Sequence, residues 1–92
     1  MQLPPNPAAE IQALIQAEQY MKAFDLSERV LARSRGDLAG WLGRACANLG
    51  LGRWAEADVD SRAAERIAPD DPNVLLVRGV AHYRLGRMEE SA

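Results

Sequence analysis

The sequence predicts an all-α chain, built as a stack of antiparallel helix pairs. Three observations carry this expectation. Residues recur at a spacing of 34 without a gap: Tyr20, Trp54 and Met88 share one phase, Ala23, Ala57 and Ser91 another, and Val30 pairs with Ala64. Leu51-Gly52-Arg53 returns as Leu85-Gly86-Arg87. A period of that size marks a repeat architecture, in which each unit buries its apolar face against its neighbours. Between these marks the apolar residues follow helical spacing, and no stretch alternates with period two long enough to make a strand.

The elements follow in order. Asn6 is placed to cap a first helix that has Pro7 as its opening residue and runs to about residue 17. Its apolar set is Ile11, Leu14 and Ile15. Glu18-Gln19 makes a tight turn without glycine. The second helix spans about 20–33, presents Ala23, Phe24, Leu26, Val30 and Leu31, and ends before Gly36. Asp37 caps the third, which carries Leu38, Trp41, Leu42, Ala45, Cys46 and Leu49 and stops at Gly50 and Gly52. The fourth, about 54–68, offers Ala57, Val59, Ala63, Ala64 and Ile67 as candidate buried residues, and Pro69 stops it. Asp70-Asp71-Pro72 repeats the start signal. The fifth helix is predicted to reach Leu85 with Leu75, Leu76, Val80, Ala81 and Tyr83 as its apolar set. Gly86-Arg87 is then a second tight turn, and a sixth helix begins at Met88.

Composition narrows the function classes. The chain is 48% hydrophobic and 26% charged, which is globular rather than disordered. Its 11 basic and 13 acidic residues interleave to a formal charge of -2, with no basic block of the kind that grips nucleic acid. No apolar run is long enough to span a membrane. The N-terminus has no secretory pattern, so the expected location is cytoplasmic. Cys46 is the sole cysteine. It permits no internal disulfide and is expected as a buried thiol in a reducing compartment.

At this point the chain resembles the tetratricopeptide repeat (TPR) family. The clearest unit runs from Leu38 to Asp71 and carries Trp41, Gly52, Trp54, Ala57, Ala64 and Pro69 at the family's positions. Departures exist: Arg44 and Ala45 replace the usual Leu-Gly, Asn48 replaces a Tyr, and Glu18 replaces a turn glycine. In the next unit Gly79 restores the glycine, and His82 stands at the Tyr position beside Tyr83. The resemblance implies a right-handed superhelical stack of about two and a half repeats, approximately 4–37, 38–71 and a truncated 72–92, within one domain over 1–92. Ala57 and Ala64 lie seven apart on one face, which must be shallow for helices to approach closely.

What the resemblance implies for function is a non-catalytic scaffold that binds a protein or peptide partner on a concave face lined by the first helix of each pair. The matching positions are Gln12, Ile15, Leu42, Cys46, Leu49, Asn73, Leu76, Val80, Tyr83 and Arg84. They are mostly apolar, which fits an apolar or amphipathic segment. A subgroup of the family grips a C-terminal carboxylate with a polar clamp. The equivalent positions here, Ala8, Gln12, Gly43, Asn73 and Val77, hold no basic residue. Two alternatives stand beside this expectation. One is self-association with another copy, through the uncovered face of the fifth helix or by exchange of helices between copies; the abrupt end is separately expected to mark a fragment of a longer array. The other is a regulatory segment of a larger enzyme.

The residues that tempt an enzymatic assignment have plainer roles. His82, the one histidine, is expected to pack or hydrogen-bond, and its helix position points it away from Cys46. Asp58 and Asp60, with Glu56, are expected as solvated surface rather than a metal site. Asp70 and Asp71 are expected to cap the fifth helix. No glycine-rich phosphate loop or dinucleotide fingerprint occurs, so no cofactor is expected. Trp41 and Trp54 are expected to pack between helices.

Overall fold

A computed structural model describes residues 3–91 of the chain, with side-chain surroundings through residue 88. Among these residues it holds five helices: α1 (Pro7–Gln16), α2 (Tyr20–Arg33), α3 (Leu38–Gly50), α4 (Trp54–Ile67) and α5 (Pro72–Ser91). The helices pack mainly against their neighbours in sequence, and α3 also touches α1 and α5. The result is a small all-helical body, 42 Å in its longest dimension and 20 Å in its shortest.

The spacing of 34 is written into backbone detail. At the end of α1, the Glu18 and Gln19 N–H groups donate to the carbonyls of Ile15 and Leu14. At the end of α3, Gly52 and Arg53 donate in the same way to Leu49 and Asn48. Both are Schellman turns, which need a left-handed residue just past the helix. Gly52 takes that conformation at φ 76° and Glu18 at φ 59°. The looser connections also match. Asp37 N–H donates to Ser34 and Asp71 N–H to Ala68, each at 3.2 Å. Asp37 Oδ1 then accepts from Gly40 N–H at 3.3 Å, and Asp71 Oδ1 accepts from Asn73 and Val74 N–H at 2.8 and 3.3 Å. Odd-numbered helices therefore start on an Asx cap, and α2 and α4 start directly from a Schellman turn.

Burial follows the same phases. Ala23 and Ala57, Ser27 and Ser61, and Val30 and Ala64 are all buried. The two serines are satisfied within their own helices, Ser27 donating to the Ala23 carbonyl at 2.8 Å and Ser61 to the Asp58 carbonyl at 2.9 Å. Among the described residues Ile11, Leu26 and Val30 form an apolar cluster, with Leu3, Leu14 and Ile15 packed against it. Elsewhere small residues let helices close up. A Cβ built on Gly43 lies 2.6 Å from both Ile11 Cγ2 and Ser27 Oγ, so α3 presses against α1 and α2 there.

Four sequence expectations are corrected. Val59 and Ile67 are 61% and 41% exposed, because α4 faces its neighbours through Ala57, Ser61 and Ala64, and Val59 lies on the opposite side. The buried stripe of α5 is Val74, Val77 and Ala81, while Leu75, Leu76, Val80 and Tyr83 are exposed. Asp58 and Asp60 are buried, not solvated. Finally, α5 continues through Gly86 to Ser91 with no turn and no sixth helix. Gly86 keeps helical geometry at a cost of about 1 kcal/mol, less than the several intrahelical hydrogen bonds a turn there would break. The predicted phase partner Ser91 has its side chain outside the described surroundings, and Ala92 lies outside the described residues.

Candidate peptide groove

The odd-numbered helices together line a cavity of about 330 Å³. From α1 it takes Ile11, Gln12, Ile15 and Gln16; from α3, Ala39, Leu42, Gly43 and Cys46; from α5, Asn73, Leu76 and Val77. The repeat explains why these side chains meet. Ala39 and Asn73, Leu42 and Leu76, and Gly43 and Val77 are each one period apart, so α3 and α5 present the same helical face. The close approach at Gly43 sets the depth, since any side chain there would push α3 off α1.

Six of the sequence-predicted groove residues line this one cavity: Gln12, Ile15, Leu42, Cys46, Asn73 and Leu76. Val80, Tyr83 and Arg84 lie instead with Leu75, Leu76 and Gly79 in an adjoining depression of about 420 Å³. Leu76, 65% exposed, belongs to both and forms the ridge between them. Leu49 is half-buried and lines neither. Ile11, Gly43 and Val77 also line the cavity, and sequence reasoning did not assign them to the groove. Gln16 and Ala39, which helical phase places on the same face as Gln12 and Asn73, line it as well.

The chemistry of the cavity is uncharged. Its lining holds no ionisable side chain except Cys46, and its polar groups are the carboxamides of Gln12, Gln16 and Asn73. Each carboxamide both donates and accepts hydrogen bonds. Burial pushes the Cys46 thiol above its ordinary pKa, so it stays protonated at neutral pH and is a weak nucleophile. A wider depression of about 1280 Å³ lies between α1 and α2. It is lined by both acidic and basic side chains, Glu10, Lys22, Asp25, Glu28 and Arg29, around Leu3 and Leu14. It lacks the repeated apolar face of the groove.

The residues set aside as non-catalytic are placed as follows. His82 is exposed on α5, away from the cavity lining, not packed as expected. Trp41 and Trp54 are half-buried. Trp41 Nε1 donates to the Arg35 carbonyl at 2.6 Å, and the Arg84 guanidinium stacks 5.4 Å from the Trp54 ring centre. Among the described residues no helix is long and apolar enough to cross a membrane, and no cluster of acidic, histidine or cysteine side chains is arranged for a metal.

The ionic network is the largest feature that the sequence expectation missed. Asp60 accepts from Arg44 at 3.0 and 3.2 Å and from Asn48 Nδ2 at 2.8 Å. Asp58 accepts from Arg78 at 2.8 Å and pairs with Arg62 at 2.9 Å. Arg44 and Arg78 are one period apart. Arg44 also reaches Glu28 on α2 at 3.4 Å, bridging α2 and α4, which make no close backbone approach of their own.

Comparison of the chain with protein-family models, with curated proteins and with solved structures finds no match.

Proposed function

We propose that this chain is a non-catalytic interaction module of tetratricopeptide-repeat type, whose concave groove holds an apolar or amphipathic peptide. The observation that carries the proposal is the uncharged cavity over α1, α3 and α5, built by the same repeat phases that set the fold. Leu42 and Leu76 offer apolar surface to a side chain. Gln12, Gln16 and Asn73 offer paired donor and acceptor groups to a peptide main chain. The repeated Schellman turns and Asx caps support the TPR-type stack, because they set the same connection geometry in successive units.

A displayed-peptide library selected on the intact chain tests this. Enriched peptides should carry apolar anchors, and Leu42→Glu with Leu76→Glu should weaken them at least about tenfold, since a charge would face an apolar ligand. Bound peptide should also slow alkylation of Cys46. Unchanged binding by a variant that keeps its helical circular dichroism would sink the groove assignment.

A further inference from the structure

Two apolar positions of the first repeat turn polar in the second. Leu14 packs against the cluster that contains Leu26, and one period on the same positions hold Asn48 and Asp60. Both polar residues are buried. Asp60 is satisfied, by Arg44 and by Asn48 Nδ2. Asn48 is not: its Oδ1 is shielded from water and has no hydrogen-bond partner. A buried acceptor without a donor is a cost that a leucine at this position would not carry. Packing alone therefore does not account for it.

Asn48 lines a depression of about 250 Å³ where α2, α3 and α4 meet. This depression shares no lining residue with the groove. Two of its walls are apolar, the half-buried ring of Phe24 and the exposed Val59. Of its charged residues, Arg44 and Asp60 hold each other. Glu56 is exposed and has no ion pair among the described residues. Just outside the lining, Glu28 shares Arg44, and the Arg53 guanidinium lies 5.5 Å from the Phe24 ring centre. Three carboxylates thus stand against two guanidiniums, which leaves one negative charge in excess. The groups that lack a protein partner, Asn48 Oδ1 and the Glu56 carboxylate, both accept hydrogen bonds.

We propose that this depression binds a primary alkylammonium, the end of a partner's lysine side chain. An ammonium carries one positive charge and three donors and no acceptor, which matches the excess charge and the two open acceptors. Its aliphatic stem lies along Phe24 and Val59, as such stems do on apolar surface. A guanidinium fits less well, because its planar fork is matched by a carboxylate and Asn48 offers a single oxygen. Asn48 Oδ1 is enclosed, so the rim parts as the ammonium enters. The Arg44–Glu28 contact, 3.4 Å long with Glu28 half exposed, is the weak tie that yields. The site stands apart from the groove, so this proposal does not depend on that assignment.

The probe is lysine blocked as Nα-acetyl-lysine-N-methylamide, titrated into the intact chain at fixed ionic strength and followed by NMR. The Asn48 side-chain amide resonances should shift and saturate. The Nε-trimethyl form of the probe keeps the charge and the stem but has no N–H, and should bind at least about tenfold more weakly, the scale of a lost charge-assisted hydrogen bond. Glu56→Gln in the chain should weaken the unmodified probe about threefold. That variant changes one exposed side chain, and helical circular dichroism checks that it folds. No saturable shift at Asn48 overturns the proposal, since Oδ1 is then a tolerated unpaired acceptor. Equal binding of the trimethyl probe also overturns it, because the Phe24 ring and not Asn48 then attracts the cation. So does a saturable shift confined to groove residues.

Discussion

Asp60 stands where Leu26 stands one repeat earlier, and the two residues are equally buried at 3% exposure. A core position has thus become ionic, and Arg44 and Asn48 satisfy it. Asp60→Ala should cost about 3 kcal/mol in urea denaturation, because it strands the half-buried Arg44 without its main partner. Replacing both, Arg44→Leu with Asp60→Leu, should cost far less than the sum of the single changes, and restores the apolar pattern of the first repeat. The left-handed turn residues give a second residue-scale prediction. Gly52→Ala should destabilise by about 1 kcal/mol, and Glu18→Gly should stabilise by up to about 1 kcal/mol by removing the penalty of a side chain at positive φ. Thermal melts of the two variants should move in opposite directions. The turn at Glu18 was legible in the sequence because its phase is that of Gly52. The burial of Asp60 was not, because a carboxylate alone gives no sign that an arginine 16 residues away faces it.

At the scale of elements, glycine has opposite meanings in α3 and α5. Gly43 is where α3 meets α1 and α2, so Gly43→Ala should cost about 1–3 kcal/mol by overpacking. Gly79 faces open space, so Gly79→Ala should stabilise the chain by about 0.5–1 kcal/mol through helix propensity. Chemical denaturation of the two variants checks the contrast. The same difference governs the end of α5. Leu85-Gly86-Arg87 reads as a turn because Leu51-Gly52-Arg53 is one, yet the helix runs through it. The local sequence is nearly the same, so those three residues alone do not encode the turn.

For the whole molecule, α3 is the hub, touching every other helix, whereas α5 rests on α4 and lightly on α3. Stability should therefore be graded. Amide exchange should be slowest in the middle of α3 and fastest in α5 beyond Ala81, where the buried stripe ends. Uniform protection across α3 and the end of α5 would contradict this hierarchy. The groove draws on three helices at once, so its shape depends on that hub holding α1 and α5 in place.

The sequence by itself determined the all-helical class, the boundaries of four helices, the caps and the connections, since these depend on local hydrogen bonding and on a period visible in the chain. Six of the residues it assigned to one helical face line a single cavity, because helical phase carries over from one repeat to the next. The tertiary structure decided which stripe of α5 is buried, whether Gly86 turns, and that Asp58 and Asp60 lie inside. Each of these depends on what packs across from the residue, and a period of 34 fixes where a side chain recurs but not what it meets there.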